Sequence, residues 1–149
     1  MKTRAVIFSI VVVLAVSFFI WDKFFAYDPG DVERRYIEAM TADTYGGATP
    51  QETLDLFVAA LRAADVELAS KYFMLDDNLS RDKWVKTLNE IKNNNLLDEM
   101  ADDFLSINFY KQLDDDKQQF IVYNDDKTDS IIINMQFNKY TEVWKIENL

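Results

Sequence analysis

The chain contains neither cysteine nor histidine. No disulfide can form, and thiolate or imidazole metal sites are excluded. Acid–base catalysis by histidine is excluded with them, as is every Ser-His-Asp or Cys-His arrangement. The missing cysteine does not assign a compartment, but it does rule out a bacterial lipoprotein anchor. Glycine and proline are also scarce, three and two residues in a chain of 149. All five lie between positions 29 and 50, as Pro29, Gly30, Gly46, Gly47 and Pro50, and none follows. Positive charge is the last deficit, with 16 basic residues against 26 acidic and a net charge of −10. Such a surface repels phosphate backbones and anionic headgroups, so the sequence predicts no nucleic-acid partner.

Apolar and aromatic residues are abundant, with eleven Phe, seven Tyr and three Trp. They suffice for one compact core. The longest uncharged run is at the start, where "MKTRAVIFSIVVVLAVSFFIWDKFF" carries two early cations and then no charge over residues 5–21. As a helix that run spans about 25 Å at ~1.5 Å per residue. With Lys23 snorkelling, the segment 5–25 approaches the ~30 Å of a bilayer core. Trp21, Phe24, Phe25 and Tyr27 then fall at the interface. The segment reads as an uncleaved signal anchor. Two other readings stand beside it: a signal peptide cleaved near Ser17, after the small residues of Ala15-Val16-Ser17, and a buried helix of a soluble fold. The four-residue tail with Lys2 and Arg4 resembles a secretory n-region, which orients the N-terminus inward and the remainder outside the cytoplasmic membrane.

The expected organisation is a cytoplasmic tail at 1–4, a transmembrane anchor at 5–25, a stem at 26–47 and a folded domain at 48–149. Asp28-Pro29-Gly30 reads as a turn at the membrane exit. "DVERRYIEAM" fits two or three helical turns, with Tyr36, Ile37 and Met40 on one side. Gly46-Gly47 reads as a hinge or turn. A phosphate-cradling loop would need Lys-Ser/Thr after the glycines, and none follows.

Thr49-Pro50-Gln51-Glu52 carries a helix start, with Thr49 as cap, Pro50 in the first turn and Glu52 closing a capping box. Leu54, Phe57, Val58 and Leu61 follow at helical spacing. Asp65 reads as the cap of a shorter helix burying Leu68, Ala69, Tyr72 and Phe73. Ser80 begins a third, with Trp84, Leu88 and Ile91, interrupted by Asn93-Asn94-Asn95. Leu96, Leu97, Met100, Ala101 and Phe104 form a fourth. The period then changes to two: Leu105, Ile107 and Phe109; "QQFIVYN"; Ile131, Ile133, Met135 and Phe137; Trp144 and Ile146. Short polar connections between these runs predict hairpins. The fold class is therefore α+β: an N-terminal transmembrane helix, then helices packed on one face of a four-strand antiparallel meander.

"TPQETLDLFVAALRAADVELASKYF" resembles the opening helix pair of nuclear transport factor 2-like (cystatin-like cone) domains of bacterial cell-envelope proteins. "EVWKIENL" is similar to their closing strand. The resemblance implies a cone-shaped α+β domain over residues 48–149, and it implies no activity, because this fold hosts enzymes, binders and assembly modules alike. Enzymes of the family usually set a His, Asp or Tyr inside the cone, and the histidine version is absent here. Scaffold proteins of type IV secretion systems resemble the layout of anchor plus cone, with cytoplasmic tails usually longer than the one here.

The candidate site residues divide into carboxylates and aromatics. Asp76-Asp77 and Asp102-Asp103 suit solvated helix ends, or a general base or cation ligand. "DDD" at 114–116 and "NDDKTD" at 124–129 suggest calcium, but lack the glycine and glutamate of an EF-hand loop, so hairpin turns are the simpler reading. Asn78-Leu79-Ser80 is a glycosylation sequon in form, and Ser80 also suits a helix cap. Tyr72, Trp84, Phe109, Tyr123, Met135 and Trp144 are either plain core or the lining of an apolar pocket suited to binding rather than turnover. The functional expectation is a non-catalytic, membrane-tethered extracytoplasmic domain acting through protein–protein contact with an envelope partner. The alternative is a small apolar or cell-wall-derived ligand held in the cone, and the third reading is an enzyme built on a carboxylate and tyrosines. No catalytic residue, cofactor or metal is expected.

Overall fold

In a computed structural model, residues 29–123 and 130–149 are described. The anchor at 5–25 and the acidic segment 124–129 lie outside the described residues. Among those that are described, no helix is long and apolar enough to cross a membrane. The chain divides into two units, Met1–Arg35 and Tyr36–Leu149. The described part of the first is the start of helix α1 (Pro29–Ala42), where Arg34 pairs with Asp31 one turn away. The expected turn at Pro29-Gly30 is instead the first turn of this helix, where an N–H has no intrahelical acceptor and proline costs nothing.

The second unit has α+β architecture. Helix α2 (Pro50–Arg62) opens with the predicted capping box: Thr49 Oγ1 accepts from Glu52 N at 3.2 Å, and Glu52 Oε2 accepts from Thr49 N at 3.2 Å. It ends through Ala64, whose φ of 51° is left-handed, so that Asp65 N can reach back to Ala60 O at 3.0 Å. Asp65 then caps α3 (Val66–Ser70), accepting from Leu68 N at 3.0 Å. Ser80 Oγ accepts from Asp82 N at the head of α4 (Asp82–Asn93). Asn95, at φ 60°, breaks the helical run and lets α5 (Leu97–Leu105) set off in a new direction. Leu105 is still helical and 64% exposed, so the two-residue period starts later than its alternation with Ile107 suggests.

Four strands follow: β1 (Asn108–Asp114), β2 (Lys117–Tyr123), β3 (Ser130–Asn138) and β4 (Val143–Asn148). They form one antiparallel sheet in sequence order. Register places Phe120 opposite Ile133 and Met135 opposite Ile146, so these side chains share one face. That face meets Leu54, Phe57, Leu61, Phe73, Leu88, Ala101 and Phe104 of the helical layer in a single apolar core. Phe57 stands edge-on to both Phe73 and Phe104, at 5.4 and 4.9 Å between centroids.

The two sheet edges differ. The outer side of β4 is covered: Ile146 N donates to Tyr72 O and Met74 N to Ile146 O, adding a short parallel bridge at Phe73. Trp144 N also donates to Gly47 O at 2.9 Å. Among the described residues, the outer side of β1 has no neighbouring strand, and all seven residues of β1 are exposed.

Residues 36–47, expected in the stem, belong to this compact unit. Thr53 Oγ1 accepts from Gly47 N and donates to Trp144 O, both within 3 Å, in a fully buried position. Gly46 sits at φ 144°, and a Cβ there would collide with the Trp144 carbonyl oxygen. A Cβ on Gly47 would collide with Glu52. The double glycine is therefore a close approach of backbone to backbone rather than a loose hinge.

Candidate functional site

The six aromatic and sulfur side chains read as either plain core or pocket lining divide between the core, its rim and the surface. Tyr72, Met135 and Trp144 are buried in the core. Burial also pushes the Tyr72 phenol pKa up. Trp84 packs against the rim of that core, stacked on Phe73 at 3.9 Å between centroids, and it lines an open cleft of about 470 Å³ with Met74, Asp76, Asp77, Lys83 and Glu147. Phe109 and Tyr123 are exposed on β1 and β2. Among the described residues, helices and sheet meet in one packed apolar core.

Of the candidate carboxylates, Asp76 and Asp102 are engaged locally. Asp76 Oδ1 accepts from Asn78 N and Ser80 N, both at 2.9 Å, in a side-chain-closed turn. Asp102 and Asp98 flank Arg62, whose guanidinium their hydrogen bonds hold at a raised pKa. Asp115 and Asp116 make the β1–β2 turn, and Phe137 N donates to Asp116 O at 2.8 Å. Among the described residues, no group of three or more acidic side chains is disposed to hold a metal ion.

What sequence reasoning missed is a buried ion cluster. Asp43 follows α1, Arg81 precedes α4 and Lys145 lies in β4, and all three meet in space. Lys145 Nζ donates to Asp43 Oδ1 at 2.6 Å and to Lys71 O at 2.7 Å, with 0% of the residue exposed. Arg81 donates one guanidinium N–H to Asp43 Oδ2 and another to Phe73 O at 2.7 Å. The main chain around Asp43 is held too: Asn138 Nδ2 donates to Met40 O at 2.9 Å, and Thr141 Oγ1 donates to Asp43 O at 2.9 Å. No buried side-chain N or O among the described residues lacks a partner. Burial pushes the Lys145 ammonium pKa down to about 8, with Arg81 adding to the drop and Asp43 opposing it.

A lysine with a depressed pKa can serve as a nucleophile. Here Nζ is fully buried and held by two acceptors, so the cluster works as a clasp. It fastens the segment that leaves α1 to the covered edge of the sheet. Its members lie far apart in sequence, 102 positions between Asp43 and Lys145, and each alone looks like a solvated charge.

Compared with family models, curated proteins and solved structures, the chain matches none.

Proposed function

We propose that residues 36–149 form a non-catalytic interaction domain, held at the outer face of the cytoplasmic membrane by the apolar segment 5–25. The observation that carries the interaction reading is the contrast between a packed core and an exposed β1 that presents Phe109, Tyr110 and Leu113. A ligand-binding cone needs an enclosed cavity with a few convergent polar groups; here Tyr72 and Met135 are packed shut, and the cleft beside Trp84 lies open at the surface. The membrane tether rests on the length and composition of residues 5–25 and on the cations before them. The order of helices followed by a four-strand meander keeps the resemblance to cone domains within this proposal.

Chemical crosslinking of the full chain in native membranes tests the reading. A reproducible adduct with a different polypeptide is expected, and recovery of monomer alone would overturn it. A small ligand in the cleft is the competing reading, and the wild-type chain showing a reproducible thermal shift with cell-wall fragments, lost in Trp84→Ala, would favour it instead.

A further inference from the structure

We infer that the β1 side of the sheet docks a basic, apolar-containing segment of another protein. This rests on the interaction reading above and names the surface and the chemistry of its partner. Among the described residues β1 is the open edge, and its exposed side chains include Phe109 (59%), Tyr110 and Leu113. Leu105, at the end of α5 just before the strand, is exposed as well. Two register irregularities against β2, at Tyr110 and at Leu113, give β1 an extra residue each time. A bulge of this kind breaks the simple in–out alternation of side chains and re-aims them, while making the edge a poorer template for indiscriminate strand pairing. The patch is anchored from the neighbouring strand, because Phe109 lies opposite the buried Phe120 and stands edge-on to it at 5.9 Å between centroids.

The charge around the patch selects the occupant. Residues 97–116 carry seven acidic side chains and a single cation, Lys111. Arg62 pairs with both Asp98 and Asp102 and offsets one of their two charges. The other acids are Glu99 and Asp103 before β1, Asp114 at its last position, and Asp115 and Asp116 in the turn after it. An apolar centre with an acidic rim complements a segment with apolar side chains and flanking Lys or Arg. A second copy of this chain would bring acidic rim against acidic rim, and antiparallel pairing about Lys111 would oppose the two lysines. An anionic lipid surface is repelled by the same rim.

The test uses the full chain in detergent micelles and fluorescent peptides of alternating lysine and valine or phenylalanine, read by anisotropy. The basic peptide is expected to bind, the glutamate version not to bind, and binding to weaken between roughly 0.05 and 0.3 M salt as charges are screened. Phe109→Ser with Leu113→Ser should weaken binding about tenfold or more. The joint change Asp114→Asn, Asp115→Asn, Asp116→Asn should weaken it and flatten its salt dependence. Equal binding of the basic and acidic peptides, or undiminished binding by the serine variant, overturns the proposal. In native membranes, a photo-crosslinker at Phe109 should give a polypeptide adduct that the triple Asn variant loses. A lipid adduct or a self-adduct there overturns the proposal. A crosslinker at the exposed Leu56 on α2 separates the two readings. An adduct at Leu56 with none at Phe109 overturns this surface and leaves the interaction reading standing; no adduct at either position overturns both.

Discussion

Replacing Asp43 by asparagine keeps the side-chain volume and removes the charge that two cations share. Lys145 would be left fully buried with a carbonyl and an amide in place of a carboxylate. Arg81 would keep its bond to Phe73 O and some contact with water. Breaking a buried pair from one side costs ~3–5 kcal/mol, because the remaining charge is uncompensated. Against a total stability of roughly 5–15 kcal/mol for a domain, that is about a fifth or more. The cost depends on pH in a definite direction. At about pH 6.5 the wild-type Lys145 is charged and Asp43 serves it; at about pH 9.5 the folded-state lysine, with its pKa near 8, is largely neutral and asks less of Asp43. Urea denaturation followed by tryptophan fluorescence should therefore show the larger loss at the lower pH. On a Lys145→Met background the same substitution should cost less, with a coupling of ~1–3 kcal/mol. A loss under ~1 kcal/mol at the lower pH, or equal losses at both, would refute the clasp.

Other substitutions read single features. Gly46→Ala should cost roughly 2–4 kcal/mol in urea titrations, since the new Cβ meets the Trp144 carbonyl at a positive φ. Ala64→Gly should stabilise by about 0.5–1 kcal/mol, because glycine relieves the left-handed turn between α2 and α3; a destabilised variant would show that the turn is not strained. The wild-type chain should gain stability as pH rises from about 8 toward the ordinary lysine value of 10.5, where the unfolded chain holds a proton that folded Lys145 has lost. That gain is about 3 kcal/mol at most, and the raised Tyr72 pKa opposes it above the ordinary tyrosine value of 10.0, where the folded state holds the extra proton. A denaturation midpoint falling steadily from pH 8 to 10 would contradict the assignment.

The parts of this fold that were legible in the sequence are those fixed by neighbours along the chain. The Thr49–Glu52 capping box, the Asp65 cap and the alternation that puts Ile133, Met135, Trp144 and Ile146 on one sheet face are local patterns. The hinge reading of Gly46-Gly47 misjudged a signal with two physical causes: glycine permits mobility, and it also permits close packing, as against β4 here. The clasp was invisible because Asp43, Arg81 and Lys145 come from three distant elements, and Lys145 occupies the alternate position of its strand, where a solvated lysine is the ordinary expectation. Phe109 shares the face of Phe120 yet is exposed, because alternation tells which face a residue joins, not how far the helical layer extends over it; Tyr123, one position after the core residue Val122, falls on the opposite face.

The central claim is a folded unit tethered outside the membrane by residues 5–25. Alkaline carbonate extraction of membranes, with protease added to spheroplasts, tests it most directly. The account predicts that the full chain stays in the membrane pellet and that residues 36–149 are reached by external protease. Release of the chain into the carbonate supernatant, or protection of residues 36–149 until the spheroplasts are lysed, would contradict it.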